Sequence, residues 1–239
     1  MIESSLDLIR NSTIENLKDL NYLEHNLIPN LGLNAGSTLA YPQYLHKYTN
    51  SGLNVWQYPN QFAKYLLFLN KQDINSYLEI GTNHGGSFIT TIEYLNKIHN
   101  KNINAFGIDI FGVHPNLREY EKLNQNVKIL QLDSTGQRFK DEIENQIKNK
   151  IDQKFDLCLI DGYHSYDVCM KDFELVKSKS KIISIHDISD EYIGVINAWK
   201  EISKDYKDHT IIEIVDQYDY IPRYYMGFGI IKFKMNEVK

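Results

Sequence analysis

The chain predicts an α/β architecture. It reads as a doubly wound, mostly parallel sheet of seven strands with a final antiparallel strand and an N-terminal helical extension. Three observations carry this expectation. From residue 76 onward, short apolar runs alternate with amphipathic segments, the pattern of a parallel sheet covered on both faces by helices. The last two apolar runs, 210–215 and 225–233, have no helical pattern between them and read as an antiparallel hairpin. Before residue 75 the text differs: Ile14, Leu17, Leu20 and Leu23 recur at helical spacing, and Gly32, Gly36 and Pro42 then break the pattern.

The parallel strands are expected at 76–80, 103–110, 127–132, 155–161 and 181–186. Pro59 opens a helix whose buried face is Phe62, Tyr65, Leu66 and Leu69. Phe88, Ile92 and Leu95 share the face of a second helix, and Tyr166, Cys169, Met170 and Phe173 that of a third, which Ser165 is placed to cap. Ser189 or Asp190 caps a further helix through Trp199 and Ile202. The division that follows is an extension over residues 1–58 and a main domain over 59–239. Repeats and low-complexity tracts are absent from the sequence.

A length of 239 residues suits one α/β domain with decoration rather than two ordinary domains. Hydrophobic residues at 42% and charged residues at 24% are the composition of a folded globular chain. A net charge of −5 without a strongly basic segment argues against nucleic-acid partners. Cys158 and Cys169 form neither a metal spacing nor a disulfide framework and suit a reducing compartment. The first ten residues are acidic and lack the pattern of a signal peptide, and no apolar run reaches the ~20 residues of a membrane span. The expected location is the cytoplasm.

The first strand leads into Gly81-Thr82-Asn83-His84-Gly85-Gly86-Ser87 and then a helix, an order that aims backbone N–H groups and a helix N-terminus at a polar ligand. A phosphate loop of the NTPase type needs Lys-Ser/Thr after Gly86, where Ser87-Phe88 stands. A dinucleotide fingerprint needs glycine at position 83, which is Asn. An ordinary strand-to-helix turn is the competing explanation for Gly85-Gly86. With Glu79 before it, the run resembles the first motif of class I S-adenosylmethionine-dependent methyltransferases, an acidic residue followed by G-x-x-x-G. The resemblance implies a Rossmann-like methyltransferase fold over 59–239, with Glu79, Gly81, Thr82, Gly85 and Ser87 at the cofactor. Asp109, ending the second strand, carries a carboxylate that can accept both ribose hydroxyls. By the same resemblance, Asp133 and Ser134 at the end of the third strand address the adenine amino group.

A second, more specific motif follows. Ile160-Asp161-Gly162-Tyr163-His164-Ser165-Tyr166, with His186-Asp187 later, is similar to a methyltransferase subfamily of sugar and small-molecule O-methyltransferases and cephalosporin hydroxylase-like proteins, over residues 55–190. Adjacent parallel strands bring Asp161 and Asp187 together, and two converging carboxylates repel unless a cation lies between them. Oxygen ligands favour Mg²⁺ or a similar ion. The resemblance makes His186 a third ligand, an imidazole that shifts preference toward Mn²⁺, Fe²⁺ or Zn²⁺. It also makes His164 the base that takes the proton of the substrate, and Trp56, Gln57 and Tyr58 a cover over the cofactor. Arg223, among Tyr218, Tyr220, Tyr224 and Tyr225, is a candidate substrate contact.

The expected activity is therefore O-methylation of a small polar substrate, a sugar or glycan precursor, with S-adenosylmethionine and a divalent ion, Mg²⁺ or Mn²⁺. Three alternatives stay open: a metal-independent N-methyltransferase, a non-catalytic cofactor-binding partner protein, and a nicotinamide-linked oxidoreductase. A homo-oligomer also stays open.

Overall fold

The computed structural model describes residues 2–150, 152–189, 193–219, 221 and 224–234. Its N-terminal part is a string of short helical pieces. The first is α1 (Glu3–Arg10), followed by α2 (Ile14–Leu17) and α3 (Leu20–Tyr22). Thr13 caps α2 by accepting the Asn16 N–H at 3.1 Å, and Asp19 caps α3 by accepting the Tyr22 N–H at 2.6 Å. A π-type turn at Leu23–Leu27 leads into α4 (Ile28–Asn30), and 3₁₀ turns follow at Ala35–Ala40 and Gln43–Tyr48. Pro59 then takes the first position of α5 (Pro59–Asn70), where its missing N–H costs nothing.

Strands and helices alternate from there: β1 (Ser76–Ile80), α6 (Gly86–His99), β2 (Asn104–Asp109), α7 (Pro115–Leu123), β3 (Val127–Gln131), α8 (Gln137–Ile147), β4 (Phe155–Ile160), α9 (Tyr166–Val176), β5 (Ser180–His186) and α10 (Ile193–Asp205). The chain closes with β6 (Thr210–Ile214) and β7 (Phe228–Lys232). The seven strands lie in the order β3-β2-β1-β4-β5-β7-β6. β1 pairs in parallel with both β2 and β4, so the order reverses beside it; open α/β sheets gather ligands at such a point. β7 runs antiparallel between β5 and β6. This is the Rossmann-like methyltransferase architecture the sequence predicts.

Strand bounds follow the apolar runs closely, with one informative difference. β7 begins at Phe228, because Met226 and Gly227 take positive φ values of 58° and 99° that extended backbone does not allow. Ser165 accepts the Val168 N–H at 3.3 Å and caps α9, as its position predicts. Ser189 spends its hydroxyl on the Met226 carbonyl at 2.9 Å, and Asp190 lies outside the described residues.

Two cores sandwich the sheet. Leu78, Ile80, Cys158, Ile160, Ile183 and Ile185 face α8, α9 and α10. Tyr77, Leu157, Leu159 and Ile182 face α5, α6 and the N-terminal pieces. The extension is thus part of a core. Ile2, Leu6 and Ile9 of α1 are buried in it, while Arg10 forms a two-pronged pair with Glu93 of α6 at 2.7 and 2.9 Å. The Tyr120 hydroxyl of α7 donates to the same carboxylate at 2.7 Å, and that of Tyr94 donates to the Leu17 carbonyl at 2.9 Å. Among the described residues, no helix is long and apolar enough to cross a membrane.

Burial outweighs charge in holding α1. A fully buried Leu or Ile contributes about 1.5–3 kcal/mol, whereas Arg10 is 44% exposed, so its pair is screened by solvent. In urea denaturation, Leu6→Ala should therefore lose about 2–5 kcal/mol and Arg10→Ala about 1 kcal/mol or less. The reverse ranking would make the ion pair the dominant tie.

Candidate active site

At the carboxyl end of β1 the chain turns through a loop built on close backbone contacts. Gly81 has φ +91°, and a Cβ there would lie 2.0 Å from the Asp161 carbonyl oxygen. Its N–H and that of Thr82 both donate to the Ile108 carbonyl, at 2.8 and 3.1 Å. Gly85, with φ +91°, immediately precedes α6; a Cβ on Gly86 would strike the backbone of Val55 at 2.5 Å. The N-terminal segment thus lies directly over the first turn of α6. Asn34 strengthens that contact. Its Oδ1 accepts the Gly36 N–H at 2.7 Å, which turns its Nδ2 toward His84 Nδ1 at 3.3 Å. His84 then accepts through Nδ1 and carries its hydrogen on Nε2.

Glu79 and Ser87 meet beneath this loop. The Tyr77 hydroxyl donates to one oxygen of the Glu79 carboxyl and the Ser87 hydroxyl to the other, at 2.9 Å for Ser87. Burial pushes the Glu79 carboxyl up to about 8, and these two donors only partly offset it. Thr82 is buried, and its hydroxyl has no hydrogen-bond partner among the described residues.

Asp109 stands beside the loop with both oxygens engaged: it accepts the Asn83 N–H and the Phe111 N–H, each at 2.8 Å. Asn83 itself is left-handed, with φ +45°. Farther along the same edge, Asp133 accepts the Thr135 N–H and hydroxyl, both at 2.8 Å, which lower its pKa. Near Ser134, burial raises the Asp172 carboxyl of α9 to about 6, and neither of its oxygens has a hydrogen-bond partner among the described residues. The sequence reading missed Asp172, because its position on α9 looks like any other helical acid.

Four titratable side chains converge past β4 and β5. His186 Nδ1 is 3.1 Å from Asp161 Oδ1 and 3.1 Å from Asp187 Oδ1. His164 Nε2 is 3.1 Å from Asp187 Oδ2 and 3.8 Å from Asp161 Oδ1. Neighbouring residues of a strand point to opposite faces, so His186 and Asp187 meet because Asp187 turns left-handed, with φ +61°. Burial alone would raise the Asp161 pKa, but the imidazoles of His186 and His164 pull it below the usual carboxylate range. The same charges raise both histidines: burial opposes their imidazolium forms, and Asp161 and Asp187 outweigh it.

The ligand atoms of Asp161, His164 and Asp187 all lie within 4.8 Å of one another. An octahedral ion with bonds of ~2.1 Å sets neighbouring ligands about 3 Å apart and opposite ones about 4.2 Å apart. That bound is slightly wider than an octahedral shell, so a small adjustment would close the triangle on a divalent ion; its carboxylates suit Mg²⁺ or Mn²⁺, and an imidazole ligand would shift preference away from Mg²⁺.

The remaining predicted residues are dispersed. Trp56 is half-exposed, with Gly36 near its ring. Gln57 is buried, and its side-chain oxygen has no partner among the described residues. Tyr58 is enclosed among Tyr41, Tyr218 and Tyr225, with its hydroxyl donating to the Ala40 carbonyl. Arg223 lies outside the described residues.

The glycine loop lies at the point beside β1 where the strand order reverses, the place where open α/β sheets gather ligands. Comparison with known proteins then narrows the class. Residues 78–188, from β1 to just past β5, match a family model described as a methyltransferase domain. The O-methyltransferase from Bacillus cereus, solved with SAH, aligns over 98% of this chain and 100% of its own at 16% identity, with a TM-score of 0.51. TomG from Streptomyces achromogenes, an O-methyltransferase involved in tomaymycin synthesis and solved with SAM, aligns over 83% of this chain and 89% of its own at 16% identity and a TM-score of 0.50. The O-methyltransferase NovP covers 98% and 100% at 12% identity, with a TM-score of 0.54. Among curated proteins, none matches by sequence. The structural likenesses show the fold, and the family match over residues 78–188 supports reading the chain as a class I S-adenosylmethionine-dependent methyltransferase.

Glu79 gives a pH test. Its folded pKa of about 8 lies above the unfolded value near 4.5, so the native state binds the extra proton. Its contribution to stability therefore falls as pH rises from about 4.5 to about 8. The stability difference between Glu79→Gln and wild type should shift in favour of the variant across that window in paired thermal melts. A difference constant with pH would show that Glu79 is ionised throughout.

Proposed function

We propose that this methyltransferase methylates a hydroxyl of a small polar substrate, a sugar or glycan precursor, with a divalent ion, Mg²⁺ or Mn²⁺, between Asp161 and Asp187. The observation that carries the proposal is the meeting of Asp161, His164 and Asp187 at the ends of β4 and β5, beside the glycine loop. S-adenosylmethionine supplies an electrophilic methyl carbon whose bonding pair leaves with sulfur. The ion would lower the pKa of a bound hydroxyl and fix its oxygen.

The loop Gly81–Thr82–Gly85 with Ser87 receives the cofactor, over a floor held by Glu79; Asp109 takes the ribose, and Asp133 and Ser134 take the adenine. Asp109 can do so because each of its oxygens accepts a single N–H and keeps lone-pair capacity. His164 would take the hydroxyl proton on Nε2 once an ion between Asp161 and Asp187 held the oxygens that Nε2 now faces. In the ion-free protein Asp161 and Asp187 outweigh burial and raise the His164 pKa; an ion between them would offset that charge and favour the neutral ring a base requires. The freed oxygen pair then forms the new C–O bond as the methyl–sulfur bond breaks.

Residues 1–58 act as a cover on the domain 59–239, working in the cytoplasm. Trp56, half-exposed beside Gly36, and Gln57, with its buried unpaired oxygen, would be the parts of that cover next to the domain. Tyr58 supports them from within the aromatic cluster.

Asp161→Ala and Asp187→Ala should still bind S-adenosylmethionine in calorimetry and lose roughly 100-fold or more in turnover. His164→Ala should lose about 10²- to 10⁴-fold in turnover. Undiminished methyl transfer in excess chelator removes the ion and turns the reading toward N-methylation, in which the same carboxylates orient an amine. Binding of NAD in place of S-adenosylmethionine would overturn the cofactor assignment.

A further inference from the structure

The geometry points to a role for His186 other than ligation: we propose that it is a positioning residue whose Nδ1–H ties Asp161 and Asp187 together across β4 and β5. The inference rests on the reading of those two carboxylates as ion ligands. His186 Nδ1 sits 3.1 Å from one oxygen of each. A bare nitrogen lone pair at that distance from two anionic oxygens is repelled by both. A hydrogen on Nδ1 is attracted to both, and it is present in the neutral Nδ1–H tautomer and in the charged ring alike.

The far side of the ring agrees. Nε2 is buried with no hydrogen-bond partner among the described residues. If Nδ1 gave its lone pair to an ion, the neutral ring would have to carry its hydrogen on Nε2. That would bury an unpaired N–H and at the same time give up the Nδ1 hydrogen shared with both carboxylates, whereas either form with Nδ1–H keeps it.

The wall also fixes the ring. Phe228 opposes His186 in the antiparallel β5–β7 register and meets the imidazole edge-on at 4.8 Å. Phe228 is backed in turn by Tyr65, stacked at 4.3 Å. A half-turn of the ring would replace Nδ1 with a carbon and leave both carboxylates without their shared donor. His186 therefore sets the separation and orientation of the two carboxylates from behind, with Asp161 Oδ1 between the two rings and Asp187 Oδ2 turned to His164.

Asparagine tests this, since its Nδ2 stands where histidine Nδ1 does, whereas leucine fills the space without a donor. His186→Leu, shown folded by circular dichroism, should bind Mn²⁺ about 10- to 100-fold more weakly in titrations followed by electron paramagnetic resonance. Its kcat should fall by a similar factor at little-changed KM for S-adenosylmethionine, and His186→Asn should restore most of both losses. Long-range ¹H–¹⁵N spectra of histidine-labelled protein, with His186 assigned from the variants, should show Nδ1 keeping its hydrogen with and without Mg²⁺. Loss of that hydrogen on adding Mg²⁺ would make His186 a ligand and overturn the proposal. So would His186→Leu with wild-type Mn²⁺ affinity and kcat. If wild-type protein binds neither ion, the ion reading alone fails; the Nδ1 hydrogen and the rescue of kcat by asparagine still uphold His186 as a positioning residue.

Discussion

The backbone at Gly81 passes so close to the backbone at Asp161 that nothing larger than hydrogen fits between them. Two further bonds seal the contact: Asp161 donates its N–H to the Ile80 carbonyl at 2.9 Å, and Gly81 donates to Ile108 at 2.8 Å. The ends of β2, β1 and β4 therefore move as one body. The loop that receives the cofactor and the loop that carries the first carboxylate are parts of that body, and displacement of one shifts the other. Methyl transfer depends on alignment within fractions of an ångström, so a seam without slack suits it.

Building on that seam brings ionisable groups into the interior. Glu79 is held up to about 8 under the loop, Asp187 and His186 are buried, and Asp161 is mostly so. Buried charge is costly unless each charge meets a counter-charge or a donor. Here the two imidazoles alternate with the two carboxylates, and each carboxylate contacts both rings. The cluster is balanced in the free protein, and the same groups are arranged at ion-ligand spacing. The aromatic stack of Tyr65, Phe62 and Phe228 supplies the rigidity that so many polar groups would otherwise undermine.

Much of this was legible in the sequence. The parallel strands are buried on both faces, so they stand out as nearly unbroken apolar runs, and the strand-end residues Asp109, Asp133, Asp161 and Asp187 follow from where those runs stop. Relations made by distant segments were hidden. Asn34 touches His84 across 50 residues, and Glu93 gathers Arg10 and Tyr120 from either side of the chain. The placement of Tyr58 inside an aromatic cluster was hidden for the same reason, since Tyr218 and Tyr225 arrive from the far end. Periodicity reports which face a residue is on; it carries no information on which remote group shares that face. The left-handed turn at Asp187 was also silent, because Asp after a strand is ordinary.

The pairing of His186 with Phe228 constrains how the chain can vary in length. Side chains alternate faces along a strand, so one residue inserted or lost just after Phe228, with the rest of β7 held in register, would carry Phe228 to the opposite side of the sheet. The imidazole would lose its backing, although every residue type at the cluster remained intact. Length changes in this hairpin must preserve strand parity or fall outside the paired segments. Two sequences with identical motifs could thus differ in competence through a single-residue gap some forty positions from the nearest motif.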